Sequence, residues 1–208
     1  TASEVSGGAL TTFVGAGNDG FVTTWYDQSG NNNNATQTSA SQQPKIVDSG
    51  SLILDNGKPI IQNVAGGRLQ IDAPLTNTSP VTQFNVAKSE GGKGIFANYR
   101  TTGDRFVLAA ESGSTSTSVI SDTPTSIFQD GSSYAVTTRG DLWTDTLSQS
   151  LFTIYWASPN YSELERLGWS STIWRMWSTQ ELIIYNSDQT SNRAAIEDNI
   201  NSYYNIYT

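Results

Sequence analysis

The segment Phe21-Val22-Thr23-Thr24-Trp25-Tyr26-Asp27-Gln28-Ser29-Gly30, continuing through Asn31-Asn32-Asn33-Asn34-Ala35-Thr36-Gln37, decides how the chain is read. Its first six residues are β-branched or aromatic, the composition of a strand. Asp27 to Gly30 then form a turn sequence, because Asp bonds its own following backbone and Gly accepts φ > 0. Trp25 and Tyr26 end the strand and point to opposite faces. The four asparagines offer carbonyl oxygens to ligand hydroxyls or to a hard cation such as Ca²⁺, which makes Asp27, Asn31 and Asn32 candidate ligand-binding residues. The competing reading is a rigid turn that orders the strand after it, since Asx-turn chemistry by itself accounts for Asp27.

The same punctuation recurs along the chain. Asn56-Gly57 is its strongest hairpin signal. Val81 to Lys88 alternates, with Val81, Gln83, Asn85 and Ala87 on one face and Thr82, Phe84, Val86 and Lys88 on the other. Further runs at 51–54, 58–62, 68–71, 94–99, 105–110, 116–120, 133–138, 151–157, 165–169, 172–177 and 180–185 read as strands. Turn residues at intervals of about 8 to 12 suit an all-β sandwich or barrel. One helix is expected at the end. N-cap residue types at Asn186-Ser187-Asp188 and Thr190-Ser191 precede Ile196, Ile200, Tyr203 or Tyr204, and Tyr207, an apolar stripe for packing on a sheet.

Composition removes whole classes of chemistry. The 208 residues contain no Cys and no His. Disulfides, thiolate or imidazole zinc sites, Cys nucleophiles and the Ser-His-Asp triad therefore drop out. A net charge of −8 argues against a nucleic-acid backbone as partner. No run of about 18 apolar residues exists to span a membrane, so no membrane insertion is expected. Charged residues are 14% of the chain, and 52 Ser plus Thr fill the gap, a balance common in secreted and virion-surface β proteins. The length suits one domain over residues 1–208, and the start at Thr1 reads as a processed or excised piece of a longer chain.

Gly15-Ala16-Gly17-Asn18-Asp19-Gly20 matches the dinucleotide fingerprint letter for letter, but a strand rather than a helix is expected after it, so it reads as a glycine-rich turn. No Asp-x-Asp-x-Asp-Gly loop is present, so an EF-hand calcium site is excluded; a Ca²⁺ site assembled from loop carbonyls stays compatible with the sequence, and no other cofactor is expected. Trp169, Trp174 and Trp177 surround Arg175 within nine residues. By alternation Trp174 shares a face with Thr172 and Met176, and Trp177 with Ile173 and Arg175. Exposed Trp suits stacking on a pyranose ring, so Trp169, Trp174, Arg175 and Trp177 are candidate glycan-binding residues; the alternative is sandwich core plus a cation–π pair.

The segment FVTTWYDQSGNNNNATQ, followed by QPKIV and LILDNGKPII, resembles the concanavalin A-like lectin/glucanase (laminin G-like) domains of bacterial secreted and bacteriophage structural proteins. The terminal QELIIYNSDQTSNRAAIEDNINSYYNIY is similar to the last strand and helix of that group. The resemblance implies a two-sheet antiparallel jelly-roll sandwich with one C-terminal α-helix. It also implies a non-catalytic carbohydrate-binding or adhesion domain, extracellular or on a virion surface, with a glycan ligand and neighbouring virion or surface subunits as partners. A purely structural virion component is the second expectation. A third follows from a W-Y-D-Q-S-G stretch similar to that of some α-L-arabinofuranosidases. Glycosidases need two flanking carboxyl groups. Here the E-x-D-x-x-E strand motif is missing; Glu163-Leu164-Glu165 is the nearest carboxylate pair at that spacing and falls where a loop enters a strand, Glu181 falls near a strand start and Glu111 just after a strand, so no catalytic residue is carried over.

Overall fold

The computed structural model describes residues 5, 8–62, 64, 67–76, 80–89, 93–95, 97–99, 105–106, 108–119, 123–159, 163–167, 175–176 and 178–208. Eleven strands, in chain order, make its two larger sheets. They are β1 (Thr24–Trp25), β2 (Ala35–Thr36), β3 (Leu69–Thr76), β4 (Val81–Lys88), β5 (Ala97–Tyr99), β6 (Arg105–Phe106), β7 (Ser126–Gln129), β8 (Ser132–Ser133), β9 (Ser150–Trp156), β10 (Glu163–Leu167) and β11 (Ser178–Tyr185). The six-stranded sheet runs β6-β5-β10-β3-β2-β1 and the five-stranded sheet β8-β7-β9-β4-β11, every pairing antiparallel. Among the described residues, α-helices of six or more residues are α1 (Ala9–Val14), α2 (Arg139–Asp145) and α3 (Arg193–Tyr204).

Strand β4 is the organising element. It pairs with β9 along its whole length, from Ser150↔Ala87 to Trp156↔Val81, and with β11 on its other side. Its period-2 alternation sends two sets of side chains to two different layers. Val81 and Ala87 join Phe152, Ile154 and Trp156 of β9 in a cluster with Ala35, Leu69, Ile71 and Leu167 of the six-stranded sheet. Phe84 and Val86 join Leu151 of β9 and Ile200 and Tyr204 of α3. The five-stranded sheet thus lies between the six-stranded sheet and α3. Burying an aliphatic or aromatic side chain of this kind stabilises by about 1.5–3 kcal/mol, so both layers are held mainly by apolar area.

Several local expectations take a different form. The run 21–26 is two short strands, because Gly20–Phe21 pairs with Lys45–Asp48 while β1 pairs with β2. The expected 116–120 strand is an extended loop over its described residues, and 133–138 keeps strand geometry only at Ser133. Not every pairing is antiparallel: Lys93–Ile95 runs parallel to Arg175–Met176 while pairing antiparallel with Ala109–Glu111. Among the described residues, helices α1 and α2 join the expected C-terminal one. Helix α2 starts at Thr138, whose Oγ1 accepts from the Asp141 backbone N–H at 3.1 Å, while Asp141 sits in the first turn where the helix dipole favours an acid. The Asn56-Gly57 hairpin forms as read, joining Leu54–Asp55 to Lys58–Pro59 with φ of 45° and 71° at its two central residues. The fingerprint-like glycines follow helix α1 and lead into a strand, so this is a turn; a Cβ on Gly50 would meet the Gly17 backbone N at 2.7 Å.

On α3 the apolar stripe selects Tyr204, which is buried, and leaves Tyr203 exposed. Glu197 is also buried on that inner face, 2% exposed. The Thr153 hydroxyl of β9 donates to it at 2.5 Å, and the Arg193 guanidinium pairs with it. Arg193 also lies over the Phe128 ring of β7, 3.8 Å from its centroid.

Candidate functional site: the groove between the C-terminal helix and an edge strand

The loop after β1 is a closed hydrogen-bond system. Asp27 Oδ1 accepts from the Ser29 N–H at 2.8 Å, and Oδ2 accepts from the Ser29 hydroxyl at 2.8 Å and the Asn33 N–H at 2.9 Å. Asn34 Oδ1 closes the ring by accepting from the Asp27 N–H at 3.0 Å. Gly30 and Asn32 take φ of 85° and 59°, the left-handed region that Gly and Asn tolerate. These donors, the Ser29 backbone foremost, hold the Asp27 carboxyl below its usual range. The loop is therefore a built turn whose acid is committed to its own backbone. Asn31 donates to Ser29 Oγ at 2.9 Å, and Asn31 and Asn32 are both exposed.

Trp169, Trp174 and Trp177 lie outside the described residues. Arg175 is described through its backbone, which sits beside Gly94 in the parallel pair. The proposed Trp/Arg cluster therefore has no described geometry. Glu111 lies 3.7 Å from the Arg139 guanidinium, next to α2. Glu181 is elsewhere, on β11 beside α3. Among the described residues no group of three or more Asp or Glu stands close enough to hold a metal ion.

A groove of about 860 Å³ opens where α3 crosses β11, the outer strand of the five-stranded sheet. Ile183, Ile196 and Ile200 give it an apolar floor, continuous with the cluster under the helix. Tyr185, Tyr203 and Tyr204 add three rings. Gln189, Asn192 and Asn199 supply amides from the rim, and Glu181 supplies the carboxylate. A largely apolar concavity with a few convergent polar groups is the form small-ligand sites take. The rings are fixed before any ligand arrives. Tyr203 and Tyr204 meet edge to face, with centroids 4.8 Å apart and planes at 87°. Tyr185 packs edge-on against Phe84 at 6.1 Å, and the Lys58 ammonium of the Asn56-Gly57 hairpin lies 3.8 Å from the Tyr203 ring centroid.

Glu181 is half-buried in the groove wall. Burial raises its carboxyl above the ordinary value, against a hydrogen bond from the Tyr204 hydroxyl that lowers it. That hydroxyl also stands 3.5 Å from the Gln180 carbonyl, and burial pushes its own pKa up. The sequence placed Glu181 near a strand start and Ile196 and Ile200 on the inner helix face, but did not join them into a site. The available signal was the Tyr203-Tyr204 pair: neighbours on a helix cannot both lie on one stripe, so one ring had to flank it.

The chain matches no family model, no curated protein and no solved structure in comparisons with each.

Proposed function

We propose that this chain is a non-catalytic carbohydrate-binding or adhesion domain, built on a concanavalin A-like jelly-roll plan and displayed on a cell or virion surface. The single observation that carries the reading is the preformed groove between α3 and β11. Its rings, Tyr185 and Tyr203, suit the apolar face of a pyranose, and the amides of Gln189, Asn192 and Asn199 suit its hydroxyls. The layering of two antiparallel sheets around one shared cluster supports the sandwich plan. A non-catalytic role is supported by the separation of the two candidate acids: Glu181 is the one carboxylate among the described lining residues, and Glu111 is engaged beside α2. The expected ligand is therefore a glycan held by this groove rather than by the Asp27 loop, whose acid is spent within the turn.

A glycan array followed by titration tests this. The chain binds at least one glycan, and Tyr185→Ala together with Asn199→Ala weakens that binding about tenfold or more. A chain that binds no glycan, or binds one with both variants silent, overturns the reading.

A further inference from the structure

The groove's charge is one-sided. Among the described residues, its lining contains one carboxylate, Glu181, and no Lys or Arg. Among the described residues no cation is ion-paired with Glu181; its partner is the neutral Tyr204 hydroxyl. The nearby ammonium of Lys58 is engaged on the Tyr203 ring and is not part of the lining. A half-buried carboxylate without a cation is poorly solvated, and a cation that enters beside it restores the missing partner. The Tyr185 ring adds to the same preference, because an aromatic face attracts cations, most strongly where water is displaced; Tyr203 already holds the Lys58 ammonium on one face. The chain's net charge of −8 draws a cation toward the site from a distance and opposes an anion.

We infer that the groove selects a saccharide carrying a free basic amine, a glucosamine-type unit, with Glu181 as the counter-ion of the amine and Tyr185 and Tyr203 as its aromatic walls. This rests on the glycan-binding reading and narrows it to one class. An N-acetylated unit of the same ring loses the charge and gains bulk, and a uronic acid places a second carboxylate against Glu181. Selectivity then comes from an attraction to one class and a repulsion of another.

The test compares three short probes by calorimetric titration at slightly acid pH: a glucosamine tetramer, its N-acetylated counterpart and a galacturonate tetramer. The amine probe is expected to bind about tenfold or more tightly than the acetylated one, with the galacturonate not detected. Glu181→Gln removes the preference, so that the amine probe then binds no more tightly than the acetylated one. Asn199→Lys, an exposed lining position that tolerates substitution without refolding, also abolishes amine binding by placing a cation in the groove. Asp198→Asn, an exposed acid outside the lining, keeps the preference and so separates Glu181 from the general acidity of the chain. Equal or tighter binding of the acetylated or galacturonate probe overturns the inference while the glycan-binding reading stands. So does a preference that survives Glu181→Gln or is lost in Asp198→Asn. No binding of any probe, with no glycan bound on the array, overturns both.

Discussion

Removing the Glu197 carboxylate should weaken the docking of helix α3 on its sheet without undocking it from the native fold. The side chain is 2% exposed, and it joins three elements: its own helix through Arg193, β9 through the Thr153 hydroxyl, and β7 through the Arg193 guanidinium stacked on Phe128. Glu197→Ala leaves a buried hydroxyl without its acceptor, an effect of about 1–3 kcal/mol. It also strips Arg193 of its counter-ion, and breaking a buried pair from one side costs about 3–5 kcal/mol in total. We therefore expect a loss of about 3–5 kcal/mol in urea denaturation, read as a shift in midpoint at unchanged slope. Glu197→Gln keeps the acceptor and shape and should cost about 1–2 kcal/mol. The pH dependence has a definite sign. Burial, outweighing the Thr153 hydrogen bond and the Arg193 charge, raises the carboxyl above its ordinary value. The native state then binds a proton more readily than the unfolded one, so this group's contribution is full below the unfolded pKa and is lost as pH rises through the folded pKa. Asp130 and Glu181 are shifted the same way by burial, so the difference between wild type and Glu197→Gln, rather than the raw curve, isolates Glu197. A cost below about 1 kcal/mol for Glu197→Ala would refute the claim that this network docks the helix.

Three other substitutions probe the remaining layers. Asn85 faces the inter-sheet core between Phe152 and Leu182, with neither amide atom partnered, so Asn85→Leu should stabilise the chain by about 1–3 kcal/mol in the same denaturation assay. Phe152→Ala removes a fully buried ring shared by the two sheets and should cost about 3–5 kcal/mol. Asp27→Ala deletes the acceptor of three turn hydrogen bonds at a partly exposed site and should cost about 1–2 kcal/mol without changing glycan affinity. Because the Asp27 carboxyl is lowered by its donors, that contribution is present above the unfolded pKa and fades as pH falls through the folded one, which acid titration of the two proteins would reveal.

What was legible in the sequence was whatever local chemistry decides. Strand β4 was readable because alternation at 81–88 is unbroken, and the Asn56-Gly57 hairpin because only a few residues accept two successive positive φ values. Asp130-Gly131, with φ of 51° and 77°, carries the same signature between β7 and β8 and could have been read the same way. Helix α2 was signalled only by Thr138-x-x-Asp141 at its start, a short cue in a Ser/Thr-rich stretch. The site was harder to see. Glu197 breaks the apolar pattern of α3 because its partner Thr153, and the Phe128 ring beneath its ion-pair partner Arg193, come from distant strands, and pairing across such separations leaves no mark in a periodicity. The groove likewise needs β11 and α3 side by side, which depends on tertiary packing rather than on either segment. The Asp27 turn, by contrast, is legible in the sequence, since every group it uses lies within eight residues.

The groove between α3 and β11 is the proposed seat of a saccharide. The most direct measurement is an amide ¹H–¹⁵N correlation spectrum of the chain titrated with the glucosamine tetramer. Saturable shifts are expected at the backbone of Glu181, Ile183 and Tyr185 and at the side-chain amides of Gln189, Asn192 and Asn199. Shifts centred on the Asp27 loop or on the backbone around Arg175, with the groove amides unmoved, would contradict it.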